Sequence, residues 1–228
     1  MLGIAGVITF IWLFNFEKEL KVKWYAVMLL SIAIIALGLL SVTIFAKFEN
    51  FLSGNDSGNM SIYGGIFLMP VFGVIGALLF KRNVKLVLDV ITLPVVIANT
   101  LARVNCLIKG CCLGSFIPGT ETRWPTREIE LVYDVIFLII IARITAKKRF
   151  RGYNYPLYLS SYGVLRFILQ WFRDGGFEVI GPLTLSHLWS ILSIVVGCIL
   201  IFLIYNAEKN DDKGLKNKGN KKKFNKSM

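Results

Sequence analysis

The chain has 228 residues, 55% of them hydrophobic and 18% charged, and its mean hydropathy of +0.64 lies outside the range of water-soluble globular domains. The net charge of +12 does not mark a nucleic-acid binder, because the basic residues fall between apolar runs instead of forming one basic stripe. Composition and charge therefore exclude a soluble domain and exclude nucleic acid as a partner.

Apolar runs cover residues 2–16, 24–46, 60–80, 84–102, 129–142, 156–172 and 187–205. Several approach the ~20 residues that a helix needs to cross a ~30 Å hydrocarbon core. Their continuity, without short alternating segments, argues against barrel strands. The predicted fold is an all-α integral membrane protein, a seven-transmembrane helical bundle. The first and fifth runs are short for a full crossing. The first, within MLGIAGVITFIWLF, has neither a basic leader nor a cleavage-site pattern and is expected to be a retained span. With no internal repeat, residues 1–205 are expected to form one seven-span domain. Residues 206–228 are expected to be a basic, disordered cytoplasmic tail that anchors the topology or touches anionic headgroups.

Lys and Arg number three, three, five and eight in 16–23, 81–85, 143–151 and the tail, against one, four and one in the intervening connections. Cytoplasmic loops collect basic residues, so a multi-pass protein of the plasma membrane is expected, with its C-terminus inside and its N-terminus outside. The second outer loop, with Arg103, Lys109, Arg123 and Arg127, breaks this trend.

Arg143 and Lys81 stand at span ends, where long cationic side chains snorkel to the interface. Arg166 differs. In YLSSYGVLRFILQWFRD it lies deep in an apolar run, where a cation is costly and faces a wet or protein-lined cavity, with Tyr162 one helical turn before it. Glu130 and Asp89 are acidic groups at membrane depth, open to either structural pairing with an arginine or catalysis. Together, Arg103, Arg127 and Arg166 against Glu130 and Asp89 leave a positive surplus. A phospholipid phosphate is the abundant anion in a bilayer, and a guanidinium presents a planar fork of donors that matches its oxygens. Gly110 and Gly114 let the following loop turn tightly and bring backbone N–H groups near a ligand. Near the end of the chain, FEVIGPLTLSHL places a Gly-Pro turn before the last run.

Cys106, Cys111 and Cys112 share one loop, and Cys198 lies in the last run, where packing is expected. Zinc normally takes a Cys/His set with paired spacing. The only histidine, His187, is distant in sequence, so no metal and no Cys-His catalytic pair is expected. A disulfide from Cys106 stays open.

Four patches resemble the prolipoprotein diacylglyceryl transferase family. RVNCLIKGCCLG is similar to the family's Arg-Ile-Gly-Cys/Asn segment in a cysteine-rich form, through Arg103, Cys106, Gly110, Cys111, Cys112 and Gly114. KWYAVML resembles an early Arg-Trp-Tyr-Gly and places Tyr25 on its tyrosine. WPTREIEL resembles His-Pro-Thr-Gln-Leu-Tyr-Glu through Pro125, Thr126 and Glu130. YGVLRFILQWFRD resembles the Tyr-Gly-x-x-Arg-Phe block through Tyr162, Gly163, Arg166, Arg173 and Asp174, and Asp89 fits in order.

The resemblance implies a seven-span bundle of this family's type with its site opening outward, and no cofactor. It also implies phosphatidylglycerol as donor and a lipobox-bearing prolipoprotein as acceptor, with a thioether formed and glycerol phosphate released. Arg103 and Arg166 would hold the phosphate and stabilise the leaving group. Tyr25, Tyr63 and Tyr162 would orient the headgroup, and Glu130 would shape the network or accept a proton. Asp89, Cys106, Gly110, Gly114 and Arg127 would complete the binding set.

The chain departs from the family pattern at several positions. Tyr63, in SIYGG, stands where the family has a histidine often assigned as base, and a tyrosine of pKa ~10 is a poor acceptor at neutral pH. Trp124, Arg127, Ile129 and Gln170 replace the motif's His, Gln, Tyr and a later Glu. A paralogue with another acceptor, and a non-catalytic phospholipid-binding protein that lost the base, are the alternatives. A transporter is disfavoured, since no broken span in one half is mirrored in the other.

Overall fold

The computed structural model describes residues 2–54, 61–148, 151–173, 178–180 and 183–224; the side chains of 2, 53, 178–180 and 211–224 lie outside the description. The elements are α1 Leu2–Phe14, α2 Glu17–Leu20, α3 Trp24–Ser53, α4 Ile62–Leu79, α5 Val84–Lys109, α6 Thr126–Ala146, α7 Asn154–Gln170, β1 Glu178–Ile180, β2 Leu183–Thr184 and α8 Leu185–Phe224. Local sequence sets several boundaries. Asn83 caps α5 by accepting from Lys85 N–H at 2.9 Å, and Gly110 ends it in the left-handed region at φ 67°, where glycine avoids the Cβ penalty.

A helix occupies each of the seven expected apolar runs. Four segments are long and apolar enough to cross a hydrocarbon core: Trp24–Leu52, Ile62–Leu79, Val84–Lys109 and Leu185–Asn210. The others fall short for separate reasons. α1 has 13 residues and α7 has 17. α6 has 21 but carries Glu130, Asp134 and Arg143 along its length.

Large apolar side chains point outward all around the bundle, among them Val7, Ile32, Leu40, Ile75, Val135, Val195 and Phe202, while Thr92, Asn99, Glu130, Asp134, Ser190 and Ser193 are buried. This inverted arrangement suits a hydrocarbon solvent, where apolar groups face lipid and polar groups pair inside. The apolar core gathers Leu13, Val27, Ile66, Val90, Val96, Tyr158 and Leu159. α7 packs on α8, α5 on α6, α4 on both α3 and α5, and α1 on α3 and α5.

Two prolines lie inside helices, Pro70 in α4 and Pro94 in α5. A proline has no N–H, so the carbonyl four residues earlier loses its helical donor. For Pro94 that carbonyl belongs to Val90, and Trp12 Nε1 donates to it at 3.1 Å. For Pro70 it belongs to Ile66, and the Tyr155 hydroxyl donates to it at 2.7 Å. Each gap becomes a cross-helix hydrogen bond, from α1 to α5 and from α7 to α4.

Alternating helix directions give the bundle two distinct ends. The C-terminal turns of α3, α5 and α7 meet the N-terminal turns of α4, α6 and α8 at one end. The basic connections meet at the other, where Lys148 pairs with Glu19, Arg82 donates to the Lys21 carbonyl at 3.0 Å and Tyr153 donates to Glu208 at 3.0 Å. Cys198, expected to pack, is instead exposed on α8. The expected Gly-Pro turn, at 181–182, lies outside the described residues, as do the side chains of most of the basic tail.

Candidate active site

Glu130 sits in the first turns of α6 and is fully buried. Its carboxylate is met by three guanidinium groups: Arg166 Nη1 at 2.7 Å, Arg103 Nη1 at 3.0 Å and Arg173 Nη1 at 3.5 Å. The backbone favours this arrangement. The α6 N-terminus carries a partial positive charge that suits Glu130, and the C-terminal turns of α5 and α7 suit Arg103 and Arg166. Tyr162, one turn before Arg166, accepts from Arg103 Nη2 at 3.2 Å, which leaves its own hydroxyl proton free to donate.

Three directly paired guanidiniums against one carboxylate leave a surplus of two positive charges in a dry site. Removing ions from water costs several kcal/mol each unless the geometry returns it. At Arg173, just past α7, burial first and then repulsion from Arg166 push the guanidinium below its ordinary pKa. Nε of Arg103 and Nε of Arg166 are buried without a hydrogen-bond partner among the described residues, and Nη1 of Arg173 has its 3.5 Å ion pair with Glu130 but no hydrogen bond among them. Buried donors left open are costly, and an anion with several acceptor oxygens would fill them.

A second polar layer lies one turn further along α6. Asp134 accepts from Asn99 Nδ2 at 3.1 Å, and the same nitrogen donates to the Tyr158 hydroxyl at 2.9 Å. On the opposite flank, half-buried Glu49 of α3 faces Ser61 and Trp189 within electrostatic reach of Arg166. Tyr63 is buried beside Arg166, and its hydroxyl donates to the Ser186 carbonyl at 3.0 Å and lies 2.9 Å from Ser190 Oγ.

Residues 110–125 fold back over this end of the bundle. Gly114 N–H donates to the Trp124 carbonyl at 3.2 Å and Ser115 N–H to the Phe172 carbonyl at 2.9 Å, and Trp124 packs on Phe172 with ring centroids 4.8 Å apart. A Cβ on Gly114 would stand 2.3 Å from the Trp124 carbonyl oxygen, so glycine is required there for close backbone approach. The expected phosphate cradle is thus otherwise engaged: Gly110 is a helix cap, and the N–H of Gly114 is taken by Trp124.

The structure brings Arg103, Glu130, Arg166, Tyr162 and Tyr63 together and adds Arg173, Asp134 and Glu49. Arg127 stands at the rim, paired with Glu128 at 2.7 Å and donating to the Cys111 carbonyl at 3.3 Å. Cys106, half-buried, lies one turn past Arg103 beside Cys111 and Cys112. Asp174 lies outside the described residues.

Two expected binding residues are far away. Asp89 is fourteen residues before Arg103 on α5, ~21 Å along the helix, where Oδ1 accepts from Asn154 N–H at 2.9 Å and Oδ2 from Gly152 N–H at 2.7 Å. It is a cap for α7. Tyr25 is half-exposed at the start of α3, ~36 Å along that helix from Glu49, beside Lys23.

His187, distant in sequence from the cysteines, lies at the site end. Its Nδ1 accepts from Thr184 N–H at 3.0 Å, a capping-box arrangement at the start of α8. The neutral ring therefore carries its proton on Nε2, which has no partner among the described residues. In that tautomer the ring offers a donor and not a base.

Fold and site together define an all-helical membrane protein whose helix ends gather buried guanidinium groups around one carboxylate. Residues 52–203 match the family model described as prolipoprotein diacylglyceryl transferase. The chain belongs to the prolipoprotein diacylglyceryl transferase family. It is 25% identical over 181 residues to phosphatidylglycerol-prolipoprotein diacylglyceryl transferase 2 of Clostridium perfringens, covering 73% of this chain and 68% of the relative. The like-named protein of Clostridium tetani is 27% identical over 68% of each chain. That of Dehalococcoides mccartyi is 22% identical over 92% of this chain and 89% of its own.

Proposed function

We propose that this chain transfers the diacylglyceryl group of phosphatidylglycerol to the thiol of a prolipoprotein cysteine. The observation that carries the reading is the group of three guanidiniums around Glu130 with donors left open. In this reaction the acceptor sulfur forms a bond to the glyceryl carbon while the bond from that carbon to the phosphate oxygen breaks. The electron pair goes to the phosphate, and glycerol phosphate leaves. Negative charge therefore grows on phosphate oxygens as the transition state forms, and preorganised arginines in a dry site stabilise it. Arg103 and Arg166 hold the phosphate, Arg173 takes a third contact, and Tyr162 donates its free proton. Glu130, clamped by guanidiniums on both oxygens, fixes the arginines and is badly placed to take the thiol proton; that proton passes to solvent or to another carboxylate such as Glu49.

The body, 1–205, is taken as a seven-span bundle and 206–228 as its basic tail. Support for the orientation comes from the clustering of the basic connections at the end opposite the arginines, since basic loops stay cytoplasmic. The arginine site then opens outward, with the N-terminus outside and the C-terminus inside, in the plasma membrane.

One observation favours a second reading, phospholipid binding without transfer. Tyr63 replaces the family's histidine, and its hydroxyl proton is committed to Ser186. The decisive test uses purified chain, phosphatidylglycerol and a lipobox peptide. Release of glycerol phosphate, lost in Arg103→Ala, supports transfer. Lipid retention that depends on Arg103 without any release, where a histidine-bearing relative turns over, supports the second reading.

A further inference from the structure

The last turn of α5 and the residues after it gather three thiols that the transfer reaction does not use. Cys106 is half-buried and Cys111 and Cys112 are exposed, and all three Sγ atoms lie within 4.8 Å of one another. The backbone produces the cluster. Gly110 at φ 67° and Cys112 at φ 61° reverse the chain, and Cys111 N–H donates back to the Cys106 carbonyl at 3.1 Å. Residues five and six positions later are thereby folded over Cys106. The spacing C-x4-C-C is not a paired zinc pattern in sequence, yet in space it is a compact sulfur triangle.

The Cys111–Cys112 edge of that triangle, with all three sulfurs within 4.8 Å of one another, bears on two uses. Thiolates ~2.3 Å from one metal ion stand roughly 3.8 Å apart in a tetrahedral arrangement and ~4.0 Å apart in a planar one. The Cys111 and Cys112 sulfurs are 3.7 Å apart. A disulfide would need about 2.0 Å, would use two of the three sulfurs, and is geometrically poor between adjacent residues. The surroundings are cationic: Arg127 donates to the Cys111 carbonyl, Lys109 lies between, and Arg103 is one turn before Cys106. Cations at that distance offset the net negative charge of three thiolates around a divalent ion.

We propose that Cys106, Cys111 and Cys112 form a three-thiolate site for one thiophilic divalent metal ion of the zinc or cadmium type, with a fourth position open to water. Such an ion pins the covering loop to α5 at the mouth of the arginine site. Its binding is independent of the transfer reaction, so failure of one reading leaves the other intact.

The test uses the full chain, purified in detergent under reducing, metal-free conditions and titrated with Cd2+. A thiolate-to-metal absorption band is expected to saturate at one equivalent per chain, and Zn2+ is expected to displace it. Cys106→Ser, Cys111→Ser and Cys112→Ser are each expected to weaken binding by more than the roughly tenfold to hundredfold that loss of an outer-shell partner costs. Cys198→Ser is expected to change nothing. A measurement without substitution accompanies these: bound Zn2+ should protect three thiols of the unaltered protein from alkylation. The proposal is overturned by a monodisperse protein that shows no saturable band. It is equally overturned by a band indifferent to any one of the three serines, or by a Cys106 disulfide to Cys111 or Cys112 in protein isolated without reductant.

Discussion

Glu130 holds three arginines at once, so charge removal there and charge removal from its partners test different things. Glu130→Gln keeps the shape but leaves buried guanidiniums facing one another. Breaking a buried ion pair from one side costs about 3–5 kcal/mol, a loss expected in thermal unfolding of the detergent-purified protein. Added phosphatidylglycerol is expected to restore part of it, because its phosphate takes the place of the missing carboxylate. Arg103→Ala is expected to lower glycerol phosphate release by about 10²–10³-fold, the scale of one lost charge-stabilising donor. Arg166→Lys should fall nearly as far, since an ammonium lacks the planar fork. These residues were legible in the sequence because an ionisable group inside an apolar run has few explanations other than a partner or a ligand. Arg173 belongs to the same motif block as Arg166 and follows it by seven residues, about two helical turns, an interval that brings it back toward the same face. Asp134 repeats Glu130 at one turn. His187 stands three residues after Thr184, the capping-box interval, which would have placed it at a helix start near the site.

At the level of elements, the resemblance to family motifs identified residues without saying which end of a helix they occupy. Asp89 and Tyr25 match motifs, yet α5 and α3 are long enough to carry them to the far end of the bundle. Asp89→Ala removes a cap and is expected to cost about 0.5–2 kcal/mol of stability while leaving phosphatidylglycerol binding unchanged. A loss of lipid binding with unchanged stability would return Asp89 to the site. The interior prolines give a parallel case. Tyr155→Phe strips the donor from the Ile66 carbonyl and Trp12→Phe strips it from Val90. Each leaves a buried acceptor unpaired, at about 1–3 kcal/mol, read as a lowered unfolding midpoint. The sequence shows the prolines but not their rescuers, because the donors come from helices distant in the chain.

For the whole molecule, the physical question is which end of the bundle faces the cytoplasm, because the lipid donor and the acceptor must both reach the arginines. The span count alone does not settle it: α1 and α7 are short, and α6 is charged. What bears on it is the balance of charge: the connections at 16–23, 81–85 and 143–151 and the tail hold three, three, five and eight Lys and Arg at one end, against one, four and one at the end that holds Arg103, Arg166 and Arg173. Basic loops resist translocation, and the larger count of Lys and Arg lies at the end opposite the buried arginines. The covering loop exposes Thr120 and the opposite end exposes Lys147, so two labels distinguish the orientations. In a cysteine-free background, Thr120→Cys is expected to react with a membrane-impermeant maleimide in intact cells, and Lys147→Cys only after permeabilisation. The reverse pattern would place the arginines on the cytoplasmic face, where a prolipoprotein cysteine exported across the membrane cannot meet them, and transfer to such an acceptor would have to be abandoned even if phosphatidylglycerol still binds.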